Sequence, residues 1–413
     1  MTMDAYLIAT ILILLSGIFG YINVRFLKLP NTIGLMVITI IFTLIVIALS
    51  YFDPTLLNFE KEIISKINFR ELLLEEMLSF LLFAGALHTN FSQLKVQKWP
   101  VLMFSTFGVL TSTFLVGIAM FYVLQLVGMP ISFIYCLLFG ALISPTDPIA
   151  VLGILKKANV PKKLETKIVG ESLFNDGVGV VVFLTIFQIA SFGTENTTTM
   201  DVIQLFGKEV LGGILLGAIL GWITYRLLKS IDDYDIEVII TVAAVMGGTV
   251  LAQKLHLSAP LAMVTAGLIV GNDTVRDSAM SETTERYVDK FWELIDILLN
   301  AILFVMIGME MLVLVIDGDY IVAGLIAIPV ILACRYLSLL IPINFFKKKL
   351  DFVPNTNLIM TWGGLRGGIS IALALGLTHE MHRDLFLVIT YIVVIFSIIV
   401  QGLTVGKLVD KLK

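Results

Sequence analysis

The segment GESLFNDGVG at 170–179 places two carboxylates, Glu171 and Asp176, in a run otherwise apolar enough to lie in lipid. A charge at a bilayer centre costs about 2.5–3.5 kcal/mol on insertion scales, and such residues mark ion pathways, proton relays or buried pairs. Ser172 and Asp176 stand four apart and share a helix face, so hydroxyl and carboxylate can converge on one ion; Glu171 and Asn175 form the adjoining stripe. Upstream, ISPTDPIA at 143–150 sets Thr146 and Asp147 between Pro145 and Pro148. Each proline removes a backbone donor and disfavours helix at the residue before it, which predicts unwound chain at Thr146 and Asp147. Irregular backbone at membrane depth is tolerated only against protein or a water-filled cavity, where freed carbonyls can coordinate a cation. The oxygen set Thr146, Asp147, Ser172 and Asp176 suits a hard, small cation. No His or Cys accompanies it. No cofactor is expected, only transported ions.

Two arginines also fall within apolar runs. Arg335 lies in LACRYLSLL and needs a carboxylate partner, for which Glu171 is the preferred candidate. Arg366 lies in TWGGLRGGIS and competes for that role; spacing does not choose between them. The four glycines around Arg366 loosen the helix there and let another backbone approach.

These groups need a membrane scaffold to position them. The chain of 413 residues is 58% hydrophobic and only 15% charged, where a soluble domain averages nearer 25%. Runs long enough to cross about 30 Å of hydrocarbon are expected at 5–24, 31–50, 72–90, 100–126, 131–155, 164–192, 207–228, 236–253, 259–271, 288–315, 321–345, 356–378 and 384–406. That is an all-α polytopic membrane protein of about thirteen spans, with no soluble domain. Asp176 is nine residues past Lys167 and Asp147 nine before Lys156, so both are placed roughly 13 Å from one membrane edge. The interrupted fifth and twelfth spans stand seven positions apart in the order of spans, so they run in opposite directions, the pattern of an inverted repeat whose broken helices mark a transport site.

Basic residues set the orientation. Twenty of the 28, from Arg25 and Lys28 to Lys407, Lys411 and Lys413, fall in one set of loops, and Lys61, Lys66, Arg70, Lys208, Lys254 and Arg383 in the other. The C-terminus is therefore expected in the cytoplasm and the N-terminus outside. The N-terminal run has no basic n-region and reads as a first span, not a cleaved signal. Cys136 and Cys334 read as buried thiols, and the four histidines as interfacial. The acidic run Asp232, Asp233, Asp235, Glu237 reads as a solvated turn. The net charge of −4 and the absence of a basic cluster with interleaved aromatics exclude a nucleic-acid partner.

The motifs SPTDP, GESLFNDGVG and GGLRGG, in that order across the whole chain, resemble the prokaryotic sodium/proton antiporters of the NhaP branch of the monovalent cation/proton antiporter superfamily, which includes the eukaryotic sodium/proton exchangers. The resemblance implies a homodimer in the cell membrane. It also implies a moving core bundle (about 100–192 and 321–406) and a static dimerisation bundle (about 1–90 and 207–315). It makes Asp176 the carboxylate that binds ion or proton, Asn175 the first of an Asn-Asp pair, and Thr146, Asp147 and Ser172 helpers. Sodium would then sit at Asp176, Ser172 and Thr146, and Glu171 would be bridged to Arg335. One departure stands out: many relatives read LLFEAALH on the third span, where LLFAGALH here puts Ala84.

The mechanism expected is competition. Burial disfavours a bare carboxylate charge, so one group facing alternately in and out crosses loaded with either sodium or a proton. A single such carboxylate predicts electroneutral one-for-one antiport, with lithium or potassium as alternative cargo. A cation channel, or an intramembrane aspartyl protease using Asp147 and Asp176, fits less well. No G-x-G-D order is present for the protease, and Asp147 is clamped between prolines.

Overall fold

The computed structural model describes residues 3–50, 52, 72–89, 91–147, 162–192, 199–314, 317–346 and 354–412. Every regular element among them is helical. In chain order they are α1 (Met3–Ile22), α2 (Asn31–Ser50), α3 (Leu78–Leu87), α4 (Phe91–Val96), α5 (Lys98–Met103), α6 (Val109–Leu126) and α7 (Phe133–Ile143). There follow α8 (Lys162–Phe192), α9 (Thr199–Leu228), α10 (Tyr234–Leu255), α11 (Ala259–Val270), α12 (Asp273–Ala279) and α13 (Glu282–Glu310). The last five are α14 (Gly318–Phe346), α15 (Thr356–Gly363), α16 (Gly368–Leu375), α17 (Arg383–Phe396) and α18 (Gly402–Leu412).

Among the described residues nine helices are long and apolar enough to cross a membrane. A tenth span results if α15 and α16, bent by 52° at their break, count as one. The shorter apolar helices α3, α7 and α11 fall at the third, fifth and ninth expected segments. The second proline of the SPTDP break, Pro148, lies outside the described residues, as do the rest of the fifth expected span, Lys156, Lys61, Lys66 and Arg70.

Local chemistry explains the boundaries. Asp233 caps α10 by accepting from the Asp235 and Ile236 N–H groups, and Ser258 and Ser281 cap α11 and α13 through their hydroxyls. Glu237 departs from the solvated turn expected for it. It is fully buried, its Oε1 accepting from the Asp233 N–H at 3.1 Å and from the Thr284 hydroxyl at 3.4 Å. The carboxylate is held because it satisfies orphan donors at the helix start. Lys167, expected at a membrane edge, is also buried, because α8 already begins at Lys162 and α4 and α5 pack on its first turns. Measured from the start of α8, Asp176 lies about 21 Å along the helix.

The helices pack in two neighbourhoods. In one, α3 and α9 lie on α11, α2 and α1 lie on α13, and α10 packs on α9, α11 and α13. Gly213, Gly217 and Gly221 give α9 a small-residue stripe on which the backbone and side chains at Ser258, Ala262 and Ala266 of α11 seat closely. Trp292 anchors α13 there, its ring 4.7 Å from Phe83 and its indole N–H donating to Thr241 Oγ1 at 3.0 Å. In the other neighbourhood α7 packs on α6, α8 and α16, while α14 packs on α6, α15 and α17. Helix α8 meets α9, α11 and α3 across the boundary, and α16 meets α13. The functional site lies at this seam.

Candidate ion-binding site

The unwound end of α7 and the break between α15 and α16 bond to one another. α7 ends at Ile143, and the chain continues unwound through Ser144, Pro145, Thr146 and Asp147. α15 ends at Gly363 and α16 begins at Gly368. Between them the Asp147 N–H donates to the Leu365 carbonyl at 2.8 Å. Arg366 Nη1 donates to the carbonyls of Ser144 (2.5 Å) and Pro145 (2.9 Å), and its own N–H donates to Ser397 Oγ (2.9 Å). Arg366 thus closes the C-terminal end of α7, where the orphan carbonyls of a buried helix end and the negative pole of its dipole call for a cation.

The sixth expected span, α8, supplies the side chains. Asn175 Nδ2 donates to Thr146 Oγ1 (2.8 Å), and the Thr146 N–H donates to Asn175 Oδ1 (3.3 Å). Thr146 Oγ1 and Ser172 Oγ share a further hydrogen bond at 2.9 Å. Three of the expected site residues are therefore tied to each other, and Asn175 acts as a two-pronged clip on the break. Asp176 is 4% exposed and, among the described residues, accepts no hydrogen bond from any donor. Asp147 is within electrostatic reach of it.

Glu171 faces away from this cluster. Its Oε1 lies 2.6 Å from Arg335 Nη2, with both side chains 2% exposed. The contact is an ion pair without hydrogen-bond alignment, since neither atom meets a partner at bonding angles. The two arginines thus have separate places: Arg335 on Glu171, Arg366 on the carbonyls of the fifth span.

Asp147 and Asp176 line a cavity of about 600 Å³. It runs along α8 past Glu165, Thr166, Val169 and Leu173 to Asp176, and its inner end is closed by Pro145 and the residues from Gly367 to Ser370 at the start of α16. The facing wall is α3, including Ala84 and Gly85, and one side of α13. That side carries Asp289, Glu293, Asp296 and Asn300, spaced 4, 3 and 4 apart, one helix face. No role is expected for them from the sequence, although the spacing in DKFWELIDILLN carries the signal. Beside this lining Arg276 binds Asp289 through both Nη atoms (2.9 and 2.7 Å), Glu285 (3.0 Å) and the Leu87 carbonyl (3.0 Å). Acidic neighbours outweigh desolvation there and raise the Arg276 pKa above its ordinary value.

An unwound helix end bonded to the break of a bent helix pair, beside a buried carboxylate lining an acidic cavity, is the arrangement of a membrane ion carrier. The comparisons narrow the class. The family described as "Sodium/hydrogen exchanger, transmembrane" matches residues 10–411, and the chain belongs to that family. It is 49% identical over 405 residues to the Na(+)/H(+) antiporter NhaP of Pseudomonas aeruginosa, covering 97% of this chain and 95% of that one. It is 32% identical to the Na(+)/H(+) antiporter NhaH of Halobacillus dabanensis over 94% of this chain and 93% of that one. In fold it matches the sodium proton antiporter MjNhaP1 of Methanocaldococcus jannaschii at pH 8, with a TM-score of 0.77 and 19% identity over 99% of both chains.

Proposed function

We propose that the protein exchanges sodium for protons across the cell membrane by alternating access, with the two ions competing for Asp176. The observation that carries this reading is the state of Asp176: buried, lining the cavity, and accepting no hydrogen bond among the described residues. A bare charge there is unfavourable, so the group crosses only when neutralised. Thr146 and Ser172, bonded to each other, would supply further oxygen ligands, with Asp147 within electrostatic reach of Asp176 and Asn175 holding Thr146 in place. The names of the relatives point to the same cargo.

In this reading the cavity opens to the cytoplasm at the Asp289 end, where Arg276 is bound. The C-terminus lies on that side and the N-terminus outside. The neighbourhood holding α7, α8, α14 and α16 is the moving core. The one built on α1, α2, α9, α10, α11 and α13 is the static, dimer-forming bundle. One neutralised carboxylate per half-cycle makes exchange one for one and insensitive to membrane potential.

The test uses everted vesicles holding a pH-sensitive dye, given Na⁺, Li⁺ or K⁺ separately. Sodium is expected to dissipate the acid interior, at a rate unchanged when the membrane potential is clamped. A response to potassium alone would move the cargo to potassium. Cation flux without proton counter-flow would make the protein a channel.

A second expectation concerns the approach of Gly367 to Asp147. A Cβ at position 367 would lie inside contact distance of the Asp147 carboxylate and its Cβ. Gly367→Ala is expected to push Asp147 aside and raise the half-saturating sodium concentration several-fold, without loss of the folded protein. An unchanged sodium dependence would remove Asp147 from the ion's surroundings.

A further inference from the structure

The cavity holds a second group of oxygen atoms that neither the motifs nor the mechanism above uses. Asp296 and Asn300 lie one turn apart on α13, across the cavity from α8. Asn300 is 4% exposed, and its Nδ2 donates to the Asp296 carbonyl (2.8 Å) and to Asp296 Oδ1 (3.0 Å). These two bonds fix the amide and leave its Oδ1 buried with no hydrogen-bond partner. An unsatisfied buried acceptor costs on the order of 1–3 kcal/mol, and a cation beside it would remove that penalty. Amide and carboxylate oxygens are ligands for hard cations.

The groups around Asp296 are almost all acidic. Asp289 and Glu293 line the cavity on its own helix, Glu165 and Asp176 on α8, and Asp147 on the fifth-span break; His88 stands at the end of α3. Asp147 is within electrostatic reach of Asp296 as well as of Asp176. Arg276 is already engaged by Asp289 and Glu285. Position adds a further point. Asp296 stands on α13, which packs with α1, α2, α3 and α10, while Asp176 stands on α8 in the other neighbourhood.

We infer that Asp296 and Asn300 form a second station for a monovalent cation, which sodium occupies between the mouth of the cavity and Asp176. The inference rests on the sodium/proton reading for its cargo. Because the station belongs to the bundle that stays behind, it serves only the side to which the cavity opens. Its loss should alter loading from that side and leave the opposite side alone.

Two measurements on the full chain test it. Equilibrium binding of radioactive sodium to the purified dimer or monomer is expected to leave residual uptake in Asp176→Asn, and to lose it when Asp296→Asn is added. Absence of residual uptake in a folded Asp176→Asn protein, or its survival in the double variant, would overturn the station. In vesicles of both orientations, Asp296→Asn and Asn300→Ala are each expected to raise half-saturating sodium about tenfold from the cavity side only, with the maximal rate kept. An equal change from both faces, no change, or a fall in maximal rate alone would assign the pair a structural role. Failure of antiport itself is read separately, as lack of sodium-driven proton flux in the unaltered protein.

Discussion

Asp176→Asn is expected to reduce sodium-driven proton flux to the level of vesicles lacking the protein, while the chain stays folded. An amide of nearly the same shape keeps the packing of α8, where Leu173 and Val178 are buried on either side. It neither takes up a proton at working pH nor offers a full charge to sodium. The carboxylate accepts no hydrogen bond among the described residues, so the change breaks no donor–acceptor pair there and the structural cost is small. Flux and thermal stability should therefore separate: the first lost, the second largely kept. Flux that survives in Asp176→Asn would move the exchange site elsewhere, with Asp147 the next carboxylate along the cavity.

The second large effect runs the opposite way. Glu171→Gln is expected to destabilise the protein by about 3–5 kcal/mol, because it strands the Arg335 charge in a site where both side chains are 2% exposed. Sodium affinity of the protein that does fold should change little, since Glu171 points from α8 toward α14 and not into the cavity. Replacing both partners, Glu171→Leu with Arg335→Met, should recover most of the stability, because two apolar groups leave no uncompensated charge. Thermal unfolding in detergent measures the first effect and the recovery. A normally stable Glu171→Gln protein with lost sodium affinity would make Glu171 a ligand.

Much of this site can be read from residue order. Pro145 removes a donor in a run too apolar to be a loop, and the chain does unwind after Ile143. The glycines flanking Arg366 likewise mark the break between α15 and α16. Local sequence does not say what crosses what. Arg366 reads as a charge seeking a carboxylate, yet it sits on two carbonyls 221 and 222 positions away. Asn175 reads as half of an acid-amide pair, yet its amide clips the Thr146 backbone and hydroxyl. Glu237 reads as solvated because its neighbours are acidic, and only the arrival of Thr284 from α13 explains its burial. In each case the deciding partner is distant in the chain. Asp289, Glu293, Asp296 and Asn300 differ: their spacing is local, but they lie in a span expected from 288, where the surrounding apolar residues mask a polar face.

The bonds between the two breaks have a mechanical consequence. Asp147 and Leu365 are joined main chain to main chain, and Arg366 staples the end of α7. Neither interrupted span can slip, twist or straighten without dragging the other. In the proposed cycle, exposure is switched by moving the joined pair bodily past α13, much as a drawer travels in its runners. A transport cycle built this way keeps its ligand geometry identical at both ends of the stroke, so discrimination between cations is decided once and carried unchanged to either face.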